Sequence, residues 1–156
     1  MSTRPREPGP VDLVTGPDVR LLYVVKQVEL AIRAELDKIT SLAGLTTNKY
    51  TAMTVLERHP GLTSAELARN SFVRPQTMAE IILSLEGQGY VRRDRDGNNR
   101  HHFRLSLTVE GKRVVSALSG PVDMLERVML TDLPDSARAD FRDHLIACSR
   151  ALAHQS

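Results

Sequence analysis

The segment from Tyr90 to Thr108, YVRRDRDGNNRHHFRLSLT, sets five arginines and two histidines against two acids. Guanidinium groups at this density suit a polyanion. Each can hold a phosphate or enter the electronegative minor groove of a DNA duplex. Asp96-Gly97 favours a tight turn, and after it Phe103, Leu105 and Leu107 alternate with Arg104 and Ser106. That is the pattern of a β-hairpin with one buried and one wet face. Arg95 and Arg100, near the turn, are the arginines expected to reach DNA; a merely solvated turn is the plain alternative. Arg92, Arg93 and Arg104 alternate along strands, so some of them must face elsewhere.

Other chemistries find less support. His101 and His102 are expected side by side on a strand, which points them to opposite faces and denies them a shared metal. His59, His144 and His154 have no partner at ligand spacing, so no metal site is expected. Cys148 is the single cysteine. It lies on an apolar helical line, where a buried, inert thiol is the default. A lone cysteine also excludes an intrachain disulfide and suits a reducing compartment. The chain carries no nucleophile elbow, P-loop or Gly-x-Gly-x-x-Gly fingerprint. Neither an enzyme nor a cofactor is expected.

The 156 residues fit one domain, or one domain with helical extensions, and 41% of them are hydrophobic. Net charge is only +2, yet it is polarised. Tyr90–Arg113 holds seven Lys/Arg against three Asp/Glu, and Pro121–Asp143 holds three against six. Such polarity implies a partner with a sign. No apolar run approaches the roughly 18 residues of a membrane span, and the N-terminus lacks the apolar stretch of a signal peptide. A cytoplasmic protein with no membrane partner is expected.

These residues need elements to position them. Residues 1–17 carry four prolines and two glycines and read as a flexible arm. Arg4 and Arg6 could touch nucleic acid there; a disordered tail is the simpler reading. Asp18 is expected to cap a long helix whose stripe runs through Leu21, Val25, Val28, Ile32, Leu36 and Ile39 and ends at Gly44. A second helix is expected from Thr47 to His59, with Met53 and Leu56 inward. Thr63-Ser-Ala-Glu66 is a capping box for a short helix through Asn70. Pro75 then suits a first helical position, before an inward stripe of Met78, Ile81, Ile82 and Leu85. Gln76, Thr77, Glu80 and Ser84 fall on the opposite, polar face. After the hairpin, Thr108 starts a helix with Val115, Leu118, Val122, Leu125 and Met129 in line. Gly120-Pro121 is expected to kink or interrupt it. Pro134 opens a last helix that aligns Phe141, Leu145, Cys148 and Leu152.

A short helix, a tight turn, a helix with a polar outer face and a basic hairpin, in that order, describe a winged helix-turn-helix. The helix fits the major groove, where base edges are distinguishable, and the hairpin reaches the backbone or minor groove beside it. The stretch LTTNKYTAMTVLERHPGLTSAELARNSFVRPQTMAEIILSLEGQGYVRRDRDGNNRHHFRLSLTVEGK, Leu45 to Lys112, resembles the MarR family of bacterial transcriptional regulators. LTSAELA matches the first helix of the DNA-reading pair, RPQTMAEIILSLEGQGYVRR the recognition helix and the strand after it, and LSLTVEG the link into the fifth helix.

The resemblance implies a mainly α fold with a small β-hairpin wing. Residues 45–112 would form the DNA-binding lobe, and 18–44 with 113–156 the dimerisation region. It also implies a homodimer on a pseudo-palindromic operator, in many cases a repressor released by a small aromatic or anionic ligand. Carried onto this chain, Arg74, Gln76, Thr77, Glu80 and Ser84 are the candidate DNA contacts of the recognition helix. Arg95, Asn98, Asn99 and Arg100 are those of the wing. Leu21, Val25, Leu125, Met129, Phe141, Leu145, Cys148 and Leu152 would form the dimer interface. Tyr23, Tyr50 and Met53 are candidates for a ligand cleft, with ordinary core packing as the alternative. The family's oxidant-sensing cysteine on the N-terminal helix has no counterpart here. Its usual Asp-x-Arg pair in the wing is also replaced, by Asn99 and His101. The expected consequence is a missing brace, with Arg100 left as the minor-groove finger or the wing loosened. The rival from another class is a winged-helix adapter that binds protein instead of a DNA sequence.

Overall fold

The computed structural model describes residue 16, residues 18–99 and residues 101–153. The arm with Arg4 and Arg6, Arg100 and His154 lie outside the described residues. Six helices and one hairpin follow in order: α1 (Leu21–Ser41), α2 (Thr47–Arg58), α3 (Ser64–Asn70), α4 (Pro75–Gly87), β1 (Val91–Arg95), β2 (Phe103–Leu107), α5 (Val109–Met129) and α6 (Asp135–Ala153).

α1 starts later than its capping pattern suggests. Val19 N donates to the Gly16 carbonyl at 3.3 Å, so Asp18 sits in a turn of its own. Arg20 takes the N-cap position and supplies no side-chain cap, since a guanidinium has no acceptor. At the other end Gly44 adopts φ +67°. Its N–H donates to Ser41 and that of Leu45 to Thr40, at 3.0 and 3.1 Å. This is the left-handed exit that glycine permits. α2 and α5 are capped by threonines: Thr46 accepts from Lys49 N and Thr108 from Gly111 N.

α5 is one continuous helix through Pro121, so of the expected kink or interruption the interruption does not occur. A proline clashes with the Cβ of the residue before it, and Gly120 has none. What remains is the missing N–H bond and the crowding of the ring against the carbonyl four residues back, which the flanking turns of an amphipathic helix can carry.

The core lies between α2, α3, α4, the hairpin and the first half of α5. Met53, Leu56, Leu67, Met78, Leu85 and Leu105 are its largest fully buried members. α1 packs against α2 and α5, and the Thr47 hydroxyl of α2 donates to the Asp37 carboxylate of α1. One glycine is required by close approach: a Cβ on Gly111 would overlap the Tyr90 carbonyl oxygen. That same oxygen accepts from Thr108 N at 3.0 Å, so the start of α5 is pressed directly onto the start of β1.

Apolar side chains also lie outside this core. α6 has no buried residue, and Phe141, Leu145, Ile146 and Leu152 are exposed along it, as are Leu21, Leu22 and Val25 on α1 and Met124, Val128 and Met129 on α5. Cys148, expected to be buried, is exposed in the single chain.

Candidate nucleic-acid interface

α3 opens on a complete capping box. Thr63 N and Oγ1 donate to Glu66 Oε2 at 2.8 and 2.9 Å, and Glu66 N donates back to Thr63 Oγ1 at 3.3 Å. These bonds hold the Glu66 carboxyl below its ordinary range, with Arg104 adding to the effect. α4 starts on Pro75 with Arg74 at its N-cap and no side-chain cap. The amides of its first turn are therefore available to an anion.

Met78, Ile81, Ile82 and Leu85 are buried and fix the rotation of α4. Gln76 and Glu80 are consequently exposed and Thr77 and Ser84 half-buried on its outer side. Burial of one stripe is what presents the other.

The wing pairs β1 with β2 antiparallel, in the register Val91↔Leu107 through Arg95↔Phe103. Val91, Leu105 and Leu107 face the core. Phe103, expected inward with them, is 40% exposed, and the Arg93 guanidinium lies 5.6 Å from its ring centroid. β2 is also tied to the α2–α3 connector: Gly61 N donates to Leu105 O at 2.8 Å and Leu105 N to Leu62 O at 2.9 Å. The hairpin cannot swing without breaking these bonds.

Its arginines divide by task. Arg93 makes a two-pronged pair with Glu86 of α4, Nε–Oε1 at 3.0 Å and Nη2–Oε2 at 2.7 Å. Arg92 pairs with Asp94 at 3.2 Å. Arg104 Nε and Nη2 bind Asp96 Oδ2 at 3.0 and 2.9 Å, while Nη1 reaches the Gly61 carbonyl at 3.2 Å. Among the described residues neither Arg74 nor Arg95 enters an ion pair, and both are exposed.

The expected missing brace is thus corrected. The wing has one, moved from positions 99 and 101 to Asp96 and Arg104. The tip is further fixed by two side-chain turns: Asn98 N donates to Asp96 Oδ1 and His101 N to Asn99 Oδ1, both at 3.1 Å. Asx oxygens bonded two residues ahead stabilise turns in this way. Asn99 therefore shapes the tip with its side-chain oxygen. The Asn98 turn bond, and after it Arg104, hold the Asp96 carboxyl below its ordinary range.

The histidines also differ from expectation. Both precede β2 and are exposed, so strand alternation does not separate them. With Thr63, Ala79, Leu83 and Phe103 they border a cleft of about 430 Å³ between α3, α4 and the wing. No group of three metal-binding side chains occurs among the described residues.

Met53 is fully buried among core residues, Tyr50 lies at the core's edge with burial raising its hydroxyl pKa, and Tyr23 is exposed near the start of α1. The sequence reasoning missed Asp96 and Arg104 because their bond forms one step beyond the strand register. The available signal was an acid at the end of one strand near an arginine on the next.

A two-helix reader with a buried stripe, an outward polar face and a braced basic hairpin defines a winged helix-turn-helix DNA-binding protein. The comparisons narrow the class. A profile of the MarR family matches residues 45–103. The chain is 29% identical over 125 residues to the HTH-type transcriptional repressor Rv2887 of Mycobacterium tuberculosis, covering 80% of this chain and 90% of that protein. It is 30% identical over 76 residues to the transcriptional regulator HosA of Escherichia coli, covering 49% of this chain and 56% of that regulator. A crystal structure of MarR superposes with TM-score 0.79 at 20% identity, over 90% of this chain and 96% of that one. The structure of Rv2887 complexed with salicylic acid superposes with TM-score 0.69 at 28% identity, over 85% and 98%. In its profile and its fold the chain resembles the MarR family, and its relatives mark it as a DNA-binding transcriptional regulator rather than an enzyme. No helix among the described residues is long and apolar enough to cross a membrane.

Proposed function

We propose that the protein is a ligand-responsive repressor that acts in the cytoplasm as a homodimer on a pseudo-palindromic operator. The observation that carries this reading is the pairing of two unlike surfaces in one chain. α1, α5 and α6 expose an apolar surface that no described residue covers, while α4 and the wing present polar and basic groups. Two copies joined through the first surface would offer two recognition helices to successive major grooves.

In this reading Gln76, Thr77 and Glu80 face bases, and Ser84 lies further along the same side. Arg74 and the α4 amides hold phosphate. Arg95, Asn98, Asn99 and Arg100 reach the backbone or minor groove. Leu21, Val25, Leu125, Met129, Phe141, Leu145, Cys148 and Leu152 line the dimer interface, which would also cover the cysteine. The relative solved with salicylic acid supports a small aromatic anion as the effector class, with Tyr23 and Tyr50 as the ring-contacting candidates and Met53 supporting them from the core.

Selection from random duplexes tests this directly. A palindromic consensus is expected, bound with an affinity that falls steeply with salt because lysine and arginine contacts release counterions. Arg95→Ala and Arg100→Ala are each expected to weaken it by roughly 1–3 kcal/mol. Enrichment of no sequence would instead favour the protein-binding adapter.

A further inference from the structure

We propose that Phe72, in the turn between α3 and α4, is an apolar DNA contact that reads a thymine methyl at the edge of each half-site. The inference rests on the DNA-binding reading above and adds to it a specificity residue.

Phe72 is 91% exposed and has φ +57°. It is the one non-glycine residue with positive φ among the described residues. A bulky side chain in the left-handed region is a true outlier, and glycine would sit there without strain. Strain of this kind marks functional positions when the surroundings hold it in place. Here they do: Ser71 N donates to Leu67 O at 2.9 Å and Val73 N to Ala68 O at 3.2 Å, and Leu67 and Ala68 are buried. Ser71 beside it is 4% exposed, and its buried hydroxyl has no hydrogen-bond partner among the described residues. Folding gains no burial from the Phe72 ring, so packing does not explain the residue.

Position supplies the explanation. The turn leads within three residues into Pro75, the first residue of α4, and Arg69 and Arg74 flank it with exposed guanidinium groups. An aromatic ring between two phosphate-seeking cations, at the groove-entering end of a recognition helix, matches the edge of a thymine. Its C5-methyl is the one apolar group in the major-groove code, and phenylalanine is among the side chains that contact it. The chain from Phe72 to Gln76 spans at most about 15 Å, so the thymine should flank the pairs faced by Gln76 and Thr77.

The test uses the full-length protein and the duplex recovered by selection, made with thymine or with deoxyuridine, which lacks only the methyl. The parent is expected to bind the thymine duplex about fivefold or more tightly than the deoxyuridine duplex. Phe72→Gly should bind both as weakly as the parent binds deoxyuridine, with a thermal midpoint equal to or above the parent's. Phe72→Asn, which tolerates positive φ, should behave as the glycine variant does in binding. The proposal is overturned if the parent does not distinguish the duplexes, if either variant keeps the parent's affinity, if both duplexes weaken equally, or if Phe72→Gly is the less stable protein. A parent that enriches no duplex overturns the DNA-binding reading itself, which is a separate result.

Discussion

Arg104 of β2 holds Asp96 at the wing tip through two nitrogens, at 3.0 and 2.9 Å. Its third nitrogen lies 3.2 Å from the Gly61 carbonyl and 3.7 Å from the Glu66 carboxylate that caps α3. One planar guanidinium therefore joins the wing, the α2–α3 connector and the helix that supports the recognition helix. Arg104→Ala is expected to weaken operator binding by less than the roughly 1–3 kcal/mol of a deleted base contact, because it loosens the wing and touches no base. Arg104→Lys should not restore binding, since an ammonium cannot reproduce the fork. Anisotropy titrations check both, and full affinity in Arg104→Ala would show that the wing stands without its brace.

The same contacts set an acid limit. Asp96 and Glu66 both titrate below their ordinary values in the folded protein. Each therefore adds stability that is complete above the ordinary carboxylate range and is lost as pH falls through the depressed folded value. Thermal midpoints should be flat near neutrality and fall in that acid window. The fall should be smaller in Asp96→Asn, which cannot titrate there. An identical acid profile for parent and variant would exclude Asp96 as a contributor.

Much of this was legible in local patterns. The Thr63–Glu66 box, Pro75 at the start of α4 and the Met78–Leu85 stripe follow from capping and periodicity, which are properties of neighbours in sequence. The Asp96–Arg104 brace was not legible, because the eye follows strand partners and this pair joins a strand residue to the turn beyond. The histidines were misplaced for a related reason. β2 begins at residue 103, so alternation governs less of the hairpin than its composition suggests. Phe72 left no signal at all, since positive φ is invisible in a phenylalanine code.

Gly111 carries a sharper expectation. Its missing Cβ leaves room for the Tyr90 carbonyl, which is itself bonded to Thr108 N. Gly111→Ala forces backbone against backbone and should destabilise the protein by about 1–3 kcal/mol, read by urea unfolding. Gly120→Ala, with open space at that Cβ, is the control. It meets only the pre-proline restriction and should cost less.

Met53 separates core from pocket. Its side chain is fully buried, so Met53→Ala should cost about 2–5 kcal/mol through lost transfer energy and the cavity left behind. Tyr50→Phe keeps the volume and removes only a hydroxyl at the core's edge. It should leave stability near the parent's while changing response to a phenolic acid, if that ring position faces the effector. Calorimetry with salicylate on both proteins makes the comparison, and equal heats would remove Tyr50 from the cleft.

The dimer interface gives the last expectation. Leu145 lies on a helix with no buried residue in the single chain, in line with Phe141 and Leu152. A helix this apolar and this uncovered is stabilised by a partner surface more than by its own propensity. Light scattering of the parent should give twice the 17.3 kDa chain mass. Leu145→Asp places a charge in the apolar contact and should shift the mass to that of one chain. The core formed by α2, α3, α4, the hairpin and the first half of α5 does not include Leu145, so far-UV circular dichroism should retain the signal of α2 to α4. Operator affinity should nonetheless collapse, because a single recognition helix reads one half-site and forfeits the second. A monomeric parent, or a variant that stays dimeric with unchanged affinity, would place the functional interface elsewhere.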